Sequence, residues 1–175
     1  NLSGGSDMWD DLYGGTGDDS LYGGSYGSNW VYGGDGNDLV YGGAGEADIA
    51  AGGSGRDTVY GGIGSDTVLG GTGNDLVFGE AGNDVAIGDD GTDTVDGGTG
   101  NDTIEGGQGH DSLIGGDGDD LIRGDIRTFD PAYFTPYTGS TPTQVTFVNT
   151  STLTVNLSYI DPTGTPIFYA TLTPG

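Results

Sequence analysis

The stretch at residues 70–123 decides the fold, because one nine-residue pattern occurs there six times without interruption: GGTGNDLVF, GEAGNDVAI, GDDGTDTVD, GGTGNDTIE, GGQGHDSLI and GGDGDDLIR. Toward the N-terminus the same pattern extends back to Gly4, with one-residue insertions in the units that begin at Gly23 and Gly42. The repeat therefore comprises thirteen units, counting an irregular first one. Since internal repeats at a fixed period build stacked architectures, each unit should be one structural element that packs on its neighbours.

Each unit predicts a tight turn followed by a short strand. The opening Gly-Gly-x-Gly supplies residues that adopt positive φ or let two backbones approach closely. The end of the unit, as in Leu39-Val40-Tyr41, is β-branched or aromatic around one inward apolar residue. If the chain turns once per unit, two units make one coil, and strands 18 residues apart pair in parallel at about 4.8 Å. The sequence therefore predicts an all-β solenoid of roughly six and a half coils, about 30 Å long.

One side chain per unit is expected to point into this solenoid. These side chains are Leu12, Leu21, Val31, Val40, Ala50, Val59, Val68, Val77, Ala86, Val95, Ile104, Leu113 and Ile122. Burying thirteen apolar side chains of this size stabilises the fold by much less than ordering so many residues costs. A further source of stability must hold the coils together.

The sixth position of the unit is acidic almost throughout, which points to metal. The residues are Asp10, Asp19, Asp38, Asp48, Asp57, Asp66, Asp75, Asp84, Asp93, Asp102, Asp111 and Asp120. Alternate units fall on opposite sides, so each side carries a file of carboxylates about 5 Å apart, which repel one another without a counterion. A hard divalent cation between successive turns removes that repulsion, and backbone carbonyls complete an all-oxygen shell that suits Ca²⁺ better than Mg²⁺. For a single Asp, solvation or an Asx-turn is the alternative.

The units over residues 4–125 resemble the GGxGxDxUx nonapeptide repeats of RTX proteins. This resemblance implies a right-handed parallel β-roll in which two turns on the same side each contribute an Asp, with loop carbonyls, to one calcium ion. Carried over to this chain, neighbouring Asp pairs make five sites on one side and four on the other. We therefore expect about nine Ca²⁺ ions.

Three units depart from the pattern. Asn29 replaces the acid in a unit that also contains an inserted Tyr26, so the sites it shares with Asp10 and Asp48 should be weak or empty. Glu80 and Asp89 replace the second glycine of their units. These acids are expected either to add ligands or to distort the turn.

The residues that flank the inward ones are apolar on both sheets in the N-terminal units. One sheet should present Trp30 with Tyr32, Ile49 with Ala51, Thr67 with Leu69 and Val85 with Ile87. The other should present Ser20 with Tyr22, Leu39 with Tyr41, Thr58 with Tyr60 and Leu76 with Phe78. Exposed apolar patches of this extent usually mark contacts, so we expect a protein partner or self-association. The alternative is that the aromatic side chains stack on each other within the sheet.

Composition limits the function classes. The chain of 175 residues has 27 acids, three Arg, no Lys and no Cys, and a formal net charge of −24. Nucleic-acid binding is excluded because it needs a basic patch, whereas cations are the expected partners. No signal peptide is recognisable and no apolar run approaches a membrane span, so no membrane crossing is predicted and the chain is expected to be a fragment.

A boundary near Asp125 separates an acidic, Gly-rich repeat domain, residues 1–125, from the rest of the chain. Residues 126–143 are predicted to be a linker or cap. Residues 144–175 alternate apolar and polar side chains and predict three antiparallel strands. The strings FVNTS, VNLSYID, PTG, YATL and PG resemble the opening of the von Hippel-Lindau β domain. We therefore expect a small, incomplete antiparallel β-sandwich-like segment there, completed by the roll or by another chain.

No catalytic site is visible, since His110 is the single histidine and every carboxylate pair is accounted for by metal, so the chain is predicted not to be an enzyme. Ice binding is disfavoured because the Thr-Gly-Asn strings at Thr72 and Thr99 fall on opposite sides. The sequence favours a calcium-binding extracellular structural protein of a surface layer, matrix or filament, exported by bacterial type I secretion. The alternative is the non-catalytic C-terminal carrier region of a secreted RTX enzyme such as a protease or lipase.

Overall fold

The protein is described by a computed structural model over residues 1–5, 9–124, 155–160 and 166–172. Within those residues it is all-β and contains no helix, hence none long and apolar enough to cross a bilayer. Fourteen strands alternate between two parallel sheets of seven strands each, and a separate antiparallel pair follows. We call the two parallel sheets the odd sheet and the even sheet. The predicted β-roll is confirmed.

The odd sheet contains β1 (Leu2–Ser3), β3 (Ser20–Tyr22), β5 (Leu39–Gly43), β7 (Thr58–Ile63), β9 (Leu76–Ala81), β11 (Thr94–Thr99) and β13 (Ser112–Asp117). The even sheet contains β2 (Asp11–Thr16), β4 (Trp30–Asp35), β6 (Ile49–Ser54), β8 (Thr67–Gly73), β10 (Val85–Gly91), β12 (Thr103–Gly109) and β14 (Leu121–Arg123). In both sheets the spatial order follows the chain order, so each coil stacks directly on the previous one.

The strand register is the one that the nine-residue period predicts. Val77 pairs with Val95, and Ala86 pairs with Ile104, 18 residues apart. Near the N-terminus the offset becomes 19, as in Val31 with Ala50, because the inserted residues lengthen those coils. Twelve of the thirteen predicted inward residues form one buried core, and Ile122 packs against it only partly buried because it lies on the last strand of the even sheet.

One strand was missing from the sequence prediction. β1 pairs with β3, with Leu2 opposite Leu21, so the roll has seven coils rather than six and a half. The signal was present in the sequence, since Leu2 stands two residues before Gly4-Gly5 just as Leu12 stands two before Gly14-Gly15. Leu2 is exposed, because no earlier strand covers it within the described part of the chain.

The outer faces confirm that aromatic residues stack along the odd sheet. Tyr22, Tyr41, Tyr60 and Phe78 form one column, with ring centroids 5.1, 4.5 and 4.9 Å apart and nearly parallel planes. We call these four residues the aromatic column. On the even sheet Tyr13 and Tyr32 meet edge to face. Aromatic neighbours on adjacent strands stabilise each other, so the column contributes to the sheet whether or not a partner covers it.

The C-terminal pair is an antiparallel hairpin of β15 (Val155–Ile160) and β16 (Pro166–Leu172), with an irregularity between Leu157 and Ser158. These are two of the three strands predicted for residues 144–175. The first predicted strand, at residues 144–151, and the linker at residues 126–143 lie outside the described residues. The β-sandwich therefore stays a prediction.

Candidate metal centres

The acidic positions lie in two files inside the roll, divided as the sequence predicts. Eight of the twelve carboxylates are at most 3% exposed, although they belong to turn segments of a highly charged chain. They are Asp38, Asp48, Asp57, Asp66, Asp75, Asp84, Asp93 and Asp102. The other four, Asp10, Asp19, Asp111 and Asp120, are half-buried at the ends of the files. Each file thus crosses the roll from end to end.

One oxygen of each carboxylate is used to connect coils. The backbone N–H of Asp57 donates to Oδ1 of Asp75 at 2.8 Å, and the N–H of Asp75 donates to Oδ1 of Asp93 at 2.9 Å. The opposite file has the same ladder of hydrogen bonds from coil to coil. For example, the N–H of Asp66 donates to Oδ1 of Asp84 at 2.8 Å. This role was not predicted from the sequence. It satisfies turn N–H groups that the sheet hydrogen bonds do not reach.

The second oxygen of each buried carboxylate has no hydrogen-bond partner. This holds for Oδ2 of all eight buried Asp residues in the part of the chain that the structure describes. A carboxylate oxygen without a partner is costly to bury, and buried charges in proteins are paired or bound to metal. Eight such atoms in two regular rows point to one shared cause, and a row of cations along each file would supply it.

Backbone carbonyl oxygens face the same spaces as these Oδ2 atoms. A Cβ built on Gly97 would lie 2.6 Å from Asp102 Oδ2 and 2.6 Å from the carbonyl oxygen of Gly115 in the next coil. At Gly70 the corresponding distances are 2.9 Å to Asp75 Oδ2 and 2.7 Å to the carbonyl oxygen of Gly88. The first glycine of the unit therefore keeps open a small space lined by carboxylate and carbonyl oxygens. This donor set fits a hard cation such as Ca²⁺.

No group of three or more His, Cys, Asp or Glu side chains gathers around a single point within the described residues. A ligand cage made of side chains alone is therefore not present there. The stacking explains this, because a carboxylate in one file has like neighbours only in the coil above and the coil below. Backbone carbonyls would have to supply most of the six to eight oxygens that Ca²⁺ takes.

Burial raises the pKa of the central carboxylates. The pKa rises from 3.8 to about 6 at Asp57, Asp75, Asp84 and Asp93. The main cause is burial, which disfavours the charged form, and repulsion from neighbouring carboxylates adds to it. The hydrogen bond from a backbone N–H of the preceding coil lowers the pKa in part. The pKa is also raised by burial at Asp38, Asp48, Asp66 and Asp102. In the folded roll without a cation, these carboxyl groups therefore take up protons at a higher pH than they do in the unfolded chain.

Asn29 keeps the ladder but not the charge. It is buried at 2% exposure, its Oδ1 accepts from the N–H of Asp10 at 3.2 Å, and its own N–H donates to Asp48 Oδ1 at 2.7 Å. Its Nδ2 also donates to Asp48 Oδ1 at 3.1 Å. An amide can therefore make the hydrogen bonds that connect neighbouring coils without a negative charge. This hydrogen bonding is thus distinct from metal binding.

A second, exposed ladder runs along the preceding position of the unit and was not predicted either. The N–H of Arg56 donates to Asn37 Oδ1 at 3.0 Å, and the N–H of Thr92 donates to Asn74 Oδ1 at 2.9 Å. The direction is opposite to that of the inner ladder, since here each side chain accepts from the following coil. Asn at this position is the sequence signal that could have indicated it.

Glu80 and Asp89 do not distort the turn. Both adopt the positive φ of the glycine they replace, at 75° and 72°, and both keep the strand register, with Glu80 opposite Gly62 and Asp89 opposite Gly71. A side chain in this conformation is strained by roughly 1–3 kcal/mol. Glu80 is exposed and Asp89 is half-buried. The negative charge of Asp89 lies near enough to Asp75 and Asp93 of one file to raise the pKa of both further.

Stacked turn–strand units with two internal files of carboxylates define a class of protein, the metal-binding parallel β-roll. The family model of the RTX calcium-binding nonapeptide repeat (4 copies) matches this chain at residues 4–25, 24–47, 45–77, 69–104 and 96–126. These matches span more than two thirds of the 175 residues, so the chain belongs to the RTX calcium-binding repeat family. Neither a search of curated proteins nor a search of solved structures found a significant match. The repeats of this family bind calcium and are typically structural rather than catalytic.

Proposed function

We propose that this protein is a non-enzymatic, calcium-dependent structural module that works outside the cell, in a surface layer, matrix or filament. Its repeats fold when calcium binds, and its outer faces and C-terminal hairpin contact other proteins. One observation carries the proposal: eight buried carboxylate oxygens lie in two rows without hydrogen-bond partners. A structural protein needs only that the ions hold the coils in place.

The proposed calcium ligands are the carboxylates of the two files, with an ion between each pair of successive Asp residues. One file contributes Asp19, Asp38, Asp57, Asp75, Asp93 and Asp111, and the other contributes Asp48, Asp66, Asp84, Asp102 and Asp120. Counting neighbouring pairs yields five and four sites, or about nine ions. Asp10 belongs to the second file but is separated from it by Asn29, so the sites on either side of Asn29 are weaker. Bound Ca²⁺ supplies positive charge, while the chain supplies the carboxylate and carbonyl oxygens.

Calcium binding and folding are expected to be one event. In the unfolded chain the carboxylates are solvated, whereas folding stacks them in buried rows where their mutual repulsion and lost hydration oppose the roll. A cation that binds only the folded form stabilises it by mass action. Where calcium is scarce, as inside a cell, the repeats would stay unfolded. This coupling and the cysteine-free composition fit export followed by folding outside the cell.

The outer faces support the contact role. The aromatic column lines the odd sheet, and Trp30, Tyr32 and Ile49 are exposed on the even sheet. Most of the strands have five to seven residues, so a single face of seven strands covers roughly 600 Å², from strand spacing and rise, whereas stable interfaces bury about 800 Å² per partner. Stable assembly would therefore need both faces, or one face and the hairpin, to act together.

Circular dichroism during a calcium titration of the full chain, followed by light scattering on the same samples, tests the proposal. We expect β-structure to appear at or below millimolar calcium and to disappear when a chelator is added. Absence of that gain would overturn the calcium-dependent fold. Folding without any growth in mass, alone or with a partner, would overturn the assembly role and leave the fold intact.

A further inference from the structure

A groove of about 450 Å³ lies on the outer face of the even sheet, across strands β4, β6, β8 and β10. Its apolar wall is formed by Tyr32, Ala51 and Leu69, which are neighbours on successive strands. Ala51 is the smallest side chain of this row and makes a notch between the two larger ones. The volume is within the range of about 300–1,000 Å³ that ligand sites occupy.

The floor of the groove is bare backbone, and an acid closes one end. Gly34, Gly53, Gly71, Asp89 and Gly107 occupy the same register position on successive strands. Asp89 is thus the one side chain that projects from this row of glycines, and it does so at a φ of 72°.

Asp90 lies beside it at the same end of the groove. Gln108 Nε2 donates to Asp90 Oδ1 at 2.8 Å and positions that carboxylate. Asp89 and Asp90 therefore place two negative charges at one end, while Tyr32 closes the other end about 14 Å away, three strand spacings along the sheet.

The occupant of this groove must be positively charged and partly apolar. The chain has a net charge of −24 and carries only Arg56, Arg123 and Arg127 as cations, so a second copy would bring mostly carboxylates against Asp89 and Asp90. A bare metal ion would leave the apolar wall unused. A lysine side chain suits both parts, because its aliphatic stem packs on apolar surface while its ammonium group remains polar and partly hydrated.

We propose that this groove binds a basic segment of another protein, with a lysine ammonium at Asp89 and Asp90 and an apolar side chain in the notch at Ala51. Residues two apart in an extended segment point to the same face and lie about 7 Å apart. The notch at Ala51 and the carboxylates of Asp89 and Asp90 are two strand spacings apart, about 10 Å. The length of the lysine side chain covers the remaining distance, so both contacts can form together. This inference rests on the proposed contact function of the outer faces and names the chemistry of one partner.

The test uses the full chain in saturating calcium and 0.15 M salt, titrated with the acetylated and amidated peptide Gly-Leu-Ser-Lys-Gly and followed by amide NMR. The control peptide carries an acetyl group on the lysine Nζ. Asp89→Gly restores the glycine that Gly71 and Gly107 have in this row, so the variant folds. Glu80→Gly is the matched control, because it removes an acid and a positive-φ side chain from the odd sheet instead.

We expect saturable shifts of the amide NMR signals of Leu69, Thr72 and Asp90. The peptide should bind at least fivefold more weakly to Asp89→Gly, and its affinity for Glu80→Gly should change less than twofold. The acetylated peptide should not reach saturation. The inference is overturned if no shifts occur, if both variants weaken binding equally, or if the acetylated peptide binds as well. Circular dichroism of the same samples separates the two proposals. Intact calcium-dependent β-structure without peptide binding overturns only this inference, whereas loss of the calcium response overturns the proposed function.

Discussion

The interior of the roll and its outer faces follow the same nine-residue period, but they differ in how strictly they keep it. Inside, each nine-residue unit repeats a buried aliphatic residue, a glycine and an acid from Leu12 to Leu113, with Asn29 as the single uncharged substitute in the acid files. Outside, the rows change from Tyr22 and Tyr32 in the N-terminal coils to Asp96 and Glu105 farther on. Packing and metal binding constrain every interior position, whereas the outer positions are free to vary and so carry what is particular to this protein.

The largest effect on the stability of the roll is expected when the interior carboxylates are protonated in the absence of metal. The pKa of Asp57, Asp75, Asp84 and Asp93 is about 6 in the folded roll, above the 3.8 of the unfolded chain. The folded state therefore binds more protons between these values, and its stability rises as the pH falls from 7 toward 4. In metal-free buffer we expect β-structure to appear below about pH 6 by circular dichroism.

With calcium present the sign of the pH effect reverses, because protons and Ca²⁺ compete for the same carboxylates. Calcium affinity should fall as the pH drops through 6, which isothermal titration calorimetry measures. Light scattering controls for aggregation near the isoelectric point of about 4.1. Stable β-structure at pH 7 without metal would contradict the account of the buried carboxylates.

Matched isoleucines compare the core with the face directly. Ile104 is fully buried, whereas Ile87 lies half-buried on the outer face of the same sheet. Ile104→Ala should cost about 2–5 kcal/mol because it leaves a cavity that the stacked coils cannot close. Ile87→Ala should cost less than about 1 kcal/mol. Urea unfolding in saturating calcium measures both, and equal losses would mean that the outer face is as tightly packed as the core.

Asp75 allows the two roles of an interior acid to be separated. Asp75→Asn retains an oxygen for the N–H of Asp57, as Asn29 does for Asp10, but loses the negative charge. Asp75→Ala loses both. Each variant should bind about two fewer calcium ions, and the alanine variant should lose a further 1–3 kcal/mol or so because a buried N–H has no acceptor. Calorimetry counts the bound ions, and urea unfolding measures the difference in stability between the two variants. Identical stabilities would mean that the hydrogen bond from the N–H of Asp57 does not stabilise the roll.

The aromatic column tests whether an outer face stabilises the fold at all. Tyr60 stacks on Tyr41 and on Phe78, so Tyr60→Thr removes two contacts worth about 0.5–1.5 kcal/mol each while keeping a good strand former. Thr58→Ala on the same strand is the control. We expect a loss of about 1–3 kcal/mol and a weaker near-ultraviolet circular dichroism signal. No change in either measurement would assign the column to partner binding alone.

The smallest effect on the stability of the roll is expected when the missing acid at position 29 is restored. Asn29→Asp makes the second file continuous from Asp10 to Asp120, so the variant should bind up to two more calcium ions with little change in the folded structure. Without calcium it should be slightly less stable, because the file gains another like charge. Calorimetry of the variant and the parent chain measures the difference. An unchanged stoichiometry would show that the inserted Tyr26, rather than the missing charge, weakens those sites.

Much of the roll was predictable because its period couples local and global structure. The glycines, the inward residues and the acids each occur once per unit, so their positions in the sequence also assign them to a sheet, a core layer and a file. The prediction failed where the pattern stops being periodic: Leu2 has no complete unit before it, and Ile122 lies on the last strand, where the core is left partly uncovered. The hairpin strands were predicted from alternation, which reports on pairing but not on what covers their faces.

By itself, the sequence determined the period, the two-sided distribution of the carboxylates, the buried core and the need for a cation, because these follow from residue type and spacing. Only the tertiary structure decided which oxygen of each buried carboxylate makes a hydrogen bond and which does not. Oδ1 meets a backbone N–H 18 or 19 residues away while Oδ2 remains without a partner, and Ala51 and Asp89 come to share one groove. Those relations depend on the exact register between coils, which brings together atoms that no local pattern connects.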